Sequence, residues 1–199
     1  MLDGLRERLR EYYGLGARFA KWRAVIHIGE DIPSGTCIEA NSHALARYAA
    51  LCQEQGLVPM VEPEVIMDGD HDIETCYEVT EATLRSLFDA LYQQNVLLEG
   101  TILKASMVVP GQDCEERADV EEVADSTVMC LKSTVPAEST TSTVPTHAAA
   151  PRSRASSWAA SQSGGTTESG ISSNRGLVFT GTPDKAGFDE RVSIAVDLS

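Results

Sequence analysis

Five charged residues stand in otherwise apolar runs: Lys21 and Arg23 in FAKWRAVI, Glu62 and Glu64 in LVPMVEPEV, and Lys104 in GTILKAS. Residues two apart in a strand face the same side, so Lys21 shares a side with Arg23 and Glu62 with Glu64. Their interval is regular as well. Glu62 follows Lys21 by 41 residues and Lys104 follows Glu62 by 42, which is one charged strand position per unit of strand and helix. Gathered at one end of a sheet, two lysines, an arginine and two carboxylates could perform amine chemistry on an anionic substrate. A lysine beside another cation gives up its proton more readily and attacks a carbonyl to form an imine, a carboxylate moves protons, and a guanidinium grips phosphate. The same pattern also suits an interstrand ion network with no reaction, because structural ion pairs occupy strand ends too.

The elements that would position these residues alternate along the chain. LDGLRERLREYYGLG places Leu2, Leu5, Leu9 and Tyr12 at helical spacing and ends at glycine. FAKWRAVIHIG is the first strand, closed by Gly29 and the turn residues Pro33, Ser34 and Gly35. A helix over SHALARYAALCQEQG has Ser42 as its expected N-cap and Gly56 beyond its end. LVPMVEPEVIM is the second strand and DGDHD a loop. A long amphipathic helix follows in IETCYEVTEATLRSLFDALYQQN, then a third strand within NVLLEGTILKASMVV, the loop PGQDCEERAD, and a helix over VEEVADSTVMCLKSTV. Strands alternating with helices of this length predict right-handed βαβ units around a parallel sheet. In such sheets ligands bind beyond the carboxyl ends of the strands.

Charge and composition divide the chain unevenly. The 199 residues carry a formal charge of −14, and −13 of it falls in residues 1–136. Such acidity argues against nucleic acid or an anionic membrane surface as a partner. MLDGLRERLR is too charged for a signal peptide and no apolar run is long enough to span a bilayer. The five cysteines are scattered without a C-x-x-C, which is reduced, cytoplasmic usage. From 137 to 199, 38 of 63 residues are Ser, Thr, Ala, Gly or Pro. That composition is expected to leave the segment disordered, with RVSIAVDL as one late strand. The four histidines lie far apart and there is no H-E-x-x-H, so no metal is expected. His71 is expected to be solvated in its acidic loop, and Cys76 to be a packed small residue rather than a nucleophile.

ARFAKWRAVI, HALARYAALCQEQGLVPMVEPEV, MDGDHDIE and LLEGTILKASMV closely resemble the corresponding blocks of class I fructose-bisphosphate aldolases. The resemblance runs from about Leu2 to about Pro136 and implies an α/β fold, part of a TIM (β/α)8 barrel comprising about strands four to six with their helices. It implies Lys104 as the imine-forming lysine and Glu62 as the acid/base of carbinolamine dehydration. It further implies Lys21 as an electrostatic aid at the reacting carbons, Glu64 as the residue orienting the imine lysine, and Arg23 as a contact for substrate phosphate. The implied partners are sugar phosphates, with homo-oligomers expected, and no cofactor is implied, because the protonated imine takes the electrons. Ala105 and Ser106 stand where the family pattern usually has proline after the lysine. Counterparts of the family's first two strands, its phosphate-binding arginine and its C-terminal tyrosine tail are not recognised, and SQSGGTTESG only faintly echoes its glycine-rich segment. An abrupt change after Pro136 is what a shifted reading frame or gene boundary produces. The alternative expectation is therefore a non-catalytic fragment that binds sugar phosphates or associates with intact aldolase subunits.

Overall fold

The computed structural model of the chain describes residues 2–143, 177–178 and 194–197. In chain order the elements are α1 (Leu5–Gly14), β1 (Ala17–Ile26), α2 (Gly35–Glu54), β2 (Val58–Val65), α3 (Ile73–Gln93), β3 (Ile102–Ala105), α4 (Val120–Thr134), β4 (Thr140–Thr143), β5 (Leu177–Val178) and β6 (Ile194–Asp197). They build one sheet of order β4-β3-β2-β1-β6-β5. Every pairing is parallel except the antiparallel β5–β6 edge.

Side-chain oxygens start three of the helices. Ser34 accepts from the Cys37 N–H at 3.2 Å, Asp72 from Thr75 at 2.7 Å and Asp119 from Glu122 at 2.9 Å. Each occupies one of the amide donors that a helix start leaves unpaired. The first of these caps corrects the expected boundary, since α2 begins at Gly35 and Ser42 is buried inside it. The opening turns of α2 lie outside the core and so show no apolar period. The third strand is also shorter than expected, because Leu98–Gly100 form a 3-10 turn ahead of β3. A continuous apolar run does not distinguish a buried strand from a buried turn.

Alternation along the strands shows which face the helices cover. Ala20, Trp22, Ala24 and Ile26 of β1, Val61 and Val65 of β2, and Leu103 and Ala105 of β3 are buried. They pack against Leu45, Tyr48, Ala49 and Cys52 of α2 and Leu84, Leu87 and Leu91 of α3, all in one cluster. Each fully buried Leu contributes about 1.5–3 kcal/mol relative to leaving it exposed. The intervening residues face the other side, where Val25 and Val58 remain substantially exposed. β4 falls in the Thr-rich stretch that shows no hydrophobic period, and it pairs with β3 from Ile102↔Thr140 to Ala105↔Thr143. Threonine is β-branched and suits an extended backbone, and the unpaired edge of β3 supplies what the composition does not. β6 lies within the expected late strand, of which Val192 and Leu198 fall outside the described residues, as does SQSGGTTESG.

Candidate active site

All five charged strand residues lie on the sheet face opposite the helices. The ladder sets Lys21 opposite Met60, Arg23 opposite Glu62 and Val25 opposite Glu64, while Met60 pairs in turn with Ile102 of β3. Glu62 is the hub. Its carboxylate takes the Lys21 ammonium at 2.7 Å on one oxygen and the Lys104 ammonium on the other. Three adjacent strands thus contribute one charged group each. Glu62 is only 1 % exposed although its neighbours Met60 and Glu64 are not fully covered. The two lysines shield it, and their own side chains stay about a quarter exposed. Arg23 and Glu64 form a second, more exposed ion pair beside it. Because Lys104 is held by a carboxylate and still reaches solvent, it can approach a ligand on the open face with a proton-exchanging group already in contact.

Loops at the carboxyl ends of the strands pack on one another. The Gly111 N–H donates to the His71 carbonyl at 2.7 Å, Gln112 to Met67 at 2.7 Å and Asp113 to Gly69 at 2.9 Å. The loop DGDHD is therefore joined to PGQDC rather than standing free. His71 is buried, contrary to the solvated position expected of it. Burial pushes its pKa below the ordinary histidine value, opposed by the charges of Asp70 and Asp72. An acidic sequence context suggested solvent, but it carries no information about the second loop that covers the ring. Cys76 is buried as expected of a packed residue, and burial holds its thiol above the ordinary value. Among the described residues, no group of three or more His, Cys, Asp or Glu is placed to hold a metal ion. Nor is any described helix long and apolar enough to cross a membrane. A surface groove of about 930 Å³ lies between α2 and α3, and none of the five charged residues lines it.

One contributor went unnoticed in the sequence. Tyr48 of α2 is fully buried, and its hydroxyl lies 2.5 Å from the Ala20 carbonyl and 3.3 Å from the Met60 carbonyl. Its helical register marks it only as core. The available signal was its phenol, which needs a partner when buried.

Residues 1–145 match the family model for class-I fructose-bisphosphate aldolases. The chain belongs to that family. The aldolase match extends past Pro136 and takes in β4. Over 119 residues the chain is 89 % identical to a probable fructose-bisphosphate aldolase class 1 of Xanthomonas campestris, covering 60 % of this chain and 36 % of that protein. It is 57 % identical over 112 residues to the cytosolic fructose-bisphosphate aldolase 4 of Arabidopsis thaliana, covering 56 % of this chain and 28 % of that one. The chain thus spans about a third of the length of the aldolases it matches. Among solved structures it resembles the Plasmodium falciparum aldolase in complex with TRAP and a small-molecule inhibitor. That likeness has a TM-score of 0.69 and 45 % identity, over 72 % of this chain and 42 % of the other.

Proposed function

We propose that this chain carries the imine chemistry of its family, the reversible cleavage of fructose 1,6-bisphosphate into dihydroxyacetone phosphate and glyceraldehyde 3-phosphate. The observation that carries the reading is the buried Glu62 carboxylate held between Lys21 and Lys104. In this reading the Lys104 amine attacks the keto carbon of the substrate, and Glu62 protonates the departing hydroxyl so that water leaves and the imine forms. The C4 hydroxyl then gives up its proton to a base as the C3–C4 bond breaks, glyceraldehyde 3-phosphate leaves, and the electron pair flows into the protonated imine to give an enamine, which takes a proton at C3 to become the imine again. Lys21 steadies charge at the reacting carbons and Arg23 holds a phosphate, while the resemblance assigns Glu64 to orienting Lys104, although here its carboxylate is paired with Arg23 and it is Glu62 that meets Lys104. Hydrolysis of the imine releases dihydroxyacetone phosphate and restores the amine.

The same reading takes the sheet as part of a (β/α)8 barrel, with β1, β2 and β3 standing for about strands four to six. Parallel pairing with helices on one face supports it. The aldolase unit is residues 1–136 continued by β4, with the rest of the Ser/Thr/Ala/Gly-rich segment outside it. We assign the chain to the cytoplasm, on its scattered free cysteines, and expect it to form homo-oligomers. A second reading, binding of sugar phosphates without turnover, is favoured by the partial exposure of the Lys21, Arg23 and Lys104 side chains on the site face. Borohydride reduction of the full chain with dihydroxyacetone phosphate separates the two. Imine chemistry gives a covalent adduct on Lys104 by mass spectrometry, whereas reversible binding with no adduct on a folded chain supports the second reading and sinks the first.

A further inference from the structure

We propose that Tyr48 is a positioning residue that fixes how far β1 lies along β2 and thereby reserves Glu62 for the two lysines. Its consequence for turnover rests on the imine reading above. The ion pairs on the site face are offset. Straight across the ladder Lys21 meets Met60 and Arg23 meets Glu62. Yet Lys21 reaches forward to Glu62 and Arg23 to Glu64, each two positions further toward the carboxyl end of β2. Were Arg23 to take the carboxylate directly opposite it, Glu62 would be divided among three cations instead of two. The offset is a matter of strand register and shear, and a slip of one residue would turn every one of these side chains to the other face.

Tyr48 holds that register from the helix side at three points around Lys21. Its hydroxyl donates to the carbonyl of Ala20, the residue before Lys21, and lies near the carbonyl of Met60, the ladder partner of Lys21. Its ring forms a T-shaped contact with the ring of Trp22, the residue between Lys21 and Arg23, with centroids 5.4 Å apart and planes at 85°. Being fully buried, the ring cannot swing away, so the phenol ties a helix to two strands at the point where their charged residues diverge.

Tyr48→Phe keeps the ring and removes the tie. At saturating dihydroxyacetone phosphate, borohydride trapping on Lys104 is expected to slow roughly fivefold or more while the half-saturating concentration changes by less than about twofold. In the same samples without substrate, acetylation of Lys21 by acetic anhydride, read against the exposed Lys132, is expected to rise about threefold as the ion pair loosens. Unchanged trapping and an unchanged labelling ratio in a folded variant overturn the proposal. If the native chain gives no adduct, the imine reading fails by itself and the labelling ratio still decides the role of Tyr48. Should Tyr48→Phe lose its near-ultraviolet circular dichroism, 4-fluorophenylalanine in place of Tyr48, which fills the volume of the phenol but has no proton to donate, takes its place. A rise in the same ratio supports the proposal and no rise overturns it.

Discussion

A lysine that forms an imine must reach its carbonyl, lose a proton and be replaced by nothing else in the chain. Lys104 meets the first condition through its partly exposed side chain on the open face, with the Glu62 carboxylate in contact as a group placed to exchange protons. Lys104→Met is therefore expected to abolish borohydride trapping while circular dichroism and urea unfolding show a folded chain, because Lys21 still neutralises Glu62. Continued trapping in this variant would move the imine to another lysine. In the proposed reading Arg23 holds the substrate phosphate. Arg23→Ala is expected to weaken binding of a phosphorylated ligand by about 1.5–3 kcal/mol relative to its unphosphorylated analogue, the range for a hydrogen bond to a charged group. Calorimetric titration of the two ligands measures the difference, and equal weakening of both would exclude a phosphate contact.

At the scale of elements, the loops after β2 and β3 act as one body. Gly111 lies so close to the neighbouring loop that an added Cβ would sit 2.2 Å from the Gly69 carbonyl oxygen and 3.0 Å from the His71 amide. Backbone atoms cannot yield as a flexible side chain does. Gly111→Ala is expected to break the three loop-to-loop hydrogen bonds and cost about 1–3 kcal/mol. Hydrogen exchange would then accelerate across residues 67–71 and 110–114 ahead of the strands. Uniform acceleration over the whole chain would show that the loops do not open separately. The Asp72 cap belongs to the same scale. Asp72→Ala removes the acceptor for the Thr75 amide and is expected to lower stability by about 1 kcal/mol in urea unfolding. An unchanged midpoint would mean that the start of α3 does not depend on its cap.

For the whole molecule, buried thiols set an alkaline limit. Burial pushes Cys52 of α2 up to about 12 and Cys130 of α4 up to about 11, against an ordinary value near 9. Both are held neutral in the folded chain, while in the unfolded chain they ionise above about pH 9. Their contribution is thus complete below pH 9 and is lost as pH rises toward the folded values, each thiol costing up to about 1.4 kcal/mol per pH unit across that window. Urea unfolding at pH 8, 9.5 and 10.5 measures the slope. Cys52→Ala is expected to flatten it, and an identical slope in the variant would assign the alkaline loss to other groups.

The chain's own residues determined its alternation of helices and strands, because apolar period, glycine stops and turn residues are local signals that survive in any context. They also determined which five residues could share a sheet face, since side-chain alternation along a strand is a property of the backbone alone. What tertiary structure decided is which charge meets which. Lys21 lies opposite Met60 yet pairs with Glu62, and Arg23 lies opposite Glu62 yet pairs with Glu64, an offset no spacing encodes. It decided that Ser34 rather than Ser42 starts α2, that His71 is covered by a loop some forty residues away in the chain, and that Thr140–Thr143 extend the sheet. In each case the deciding partner is distant in sequence. Burial and register arise only when separate elements pack, and neither is written in the residues on either side of the position concerned.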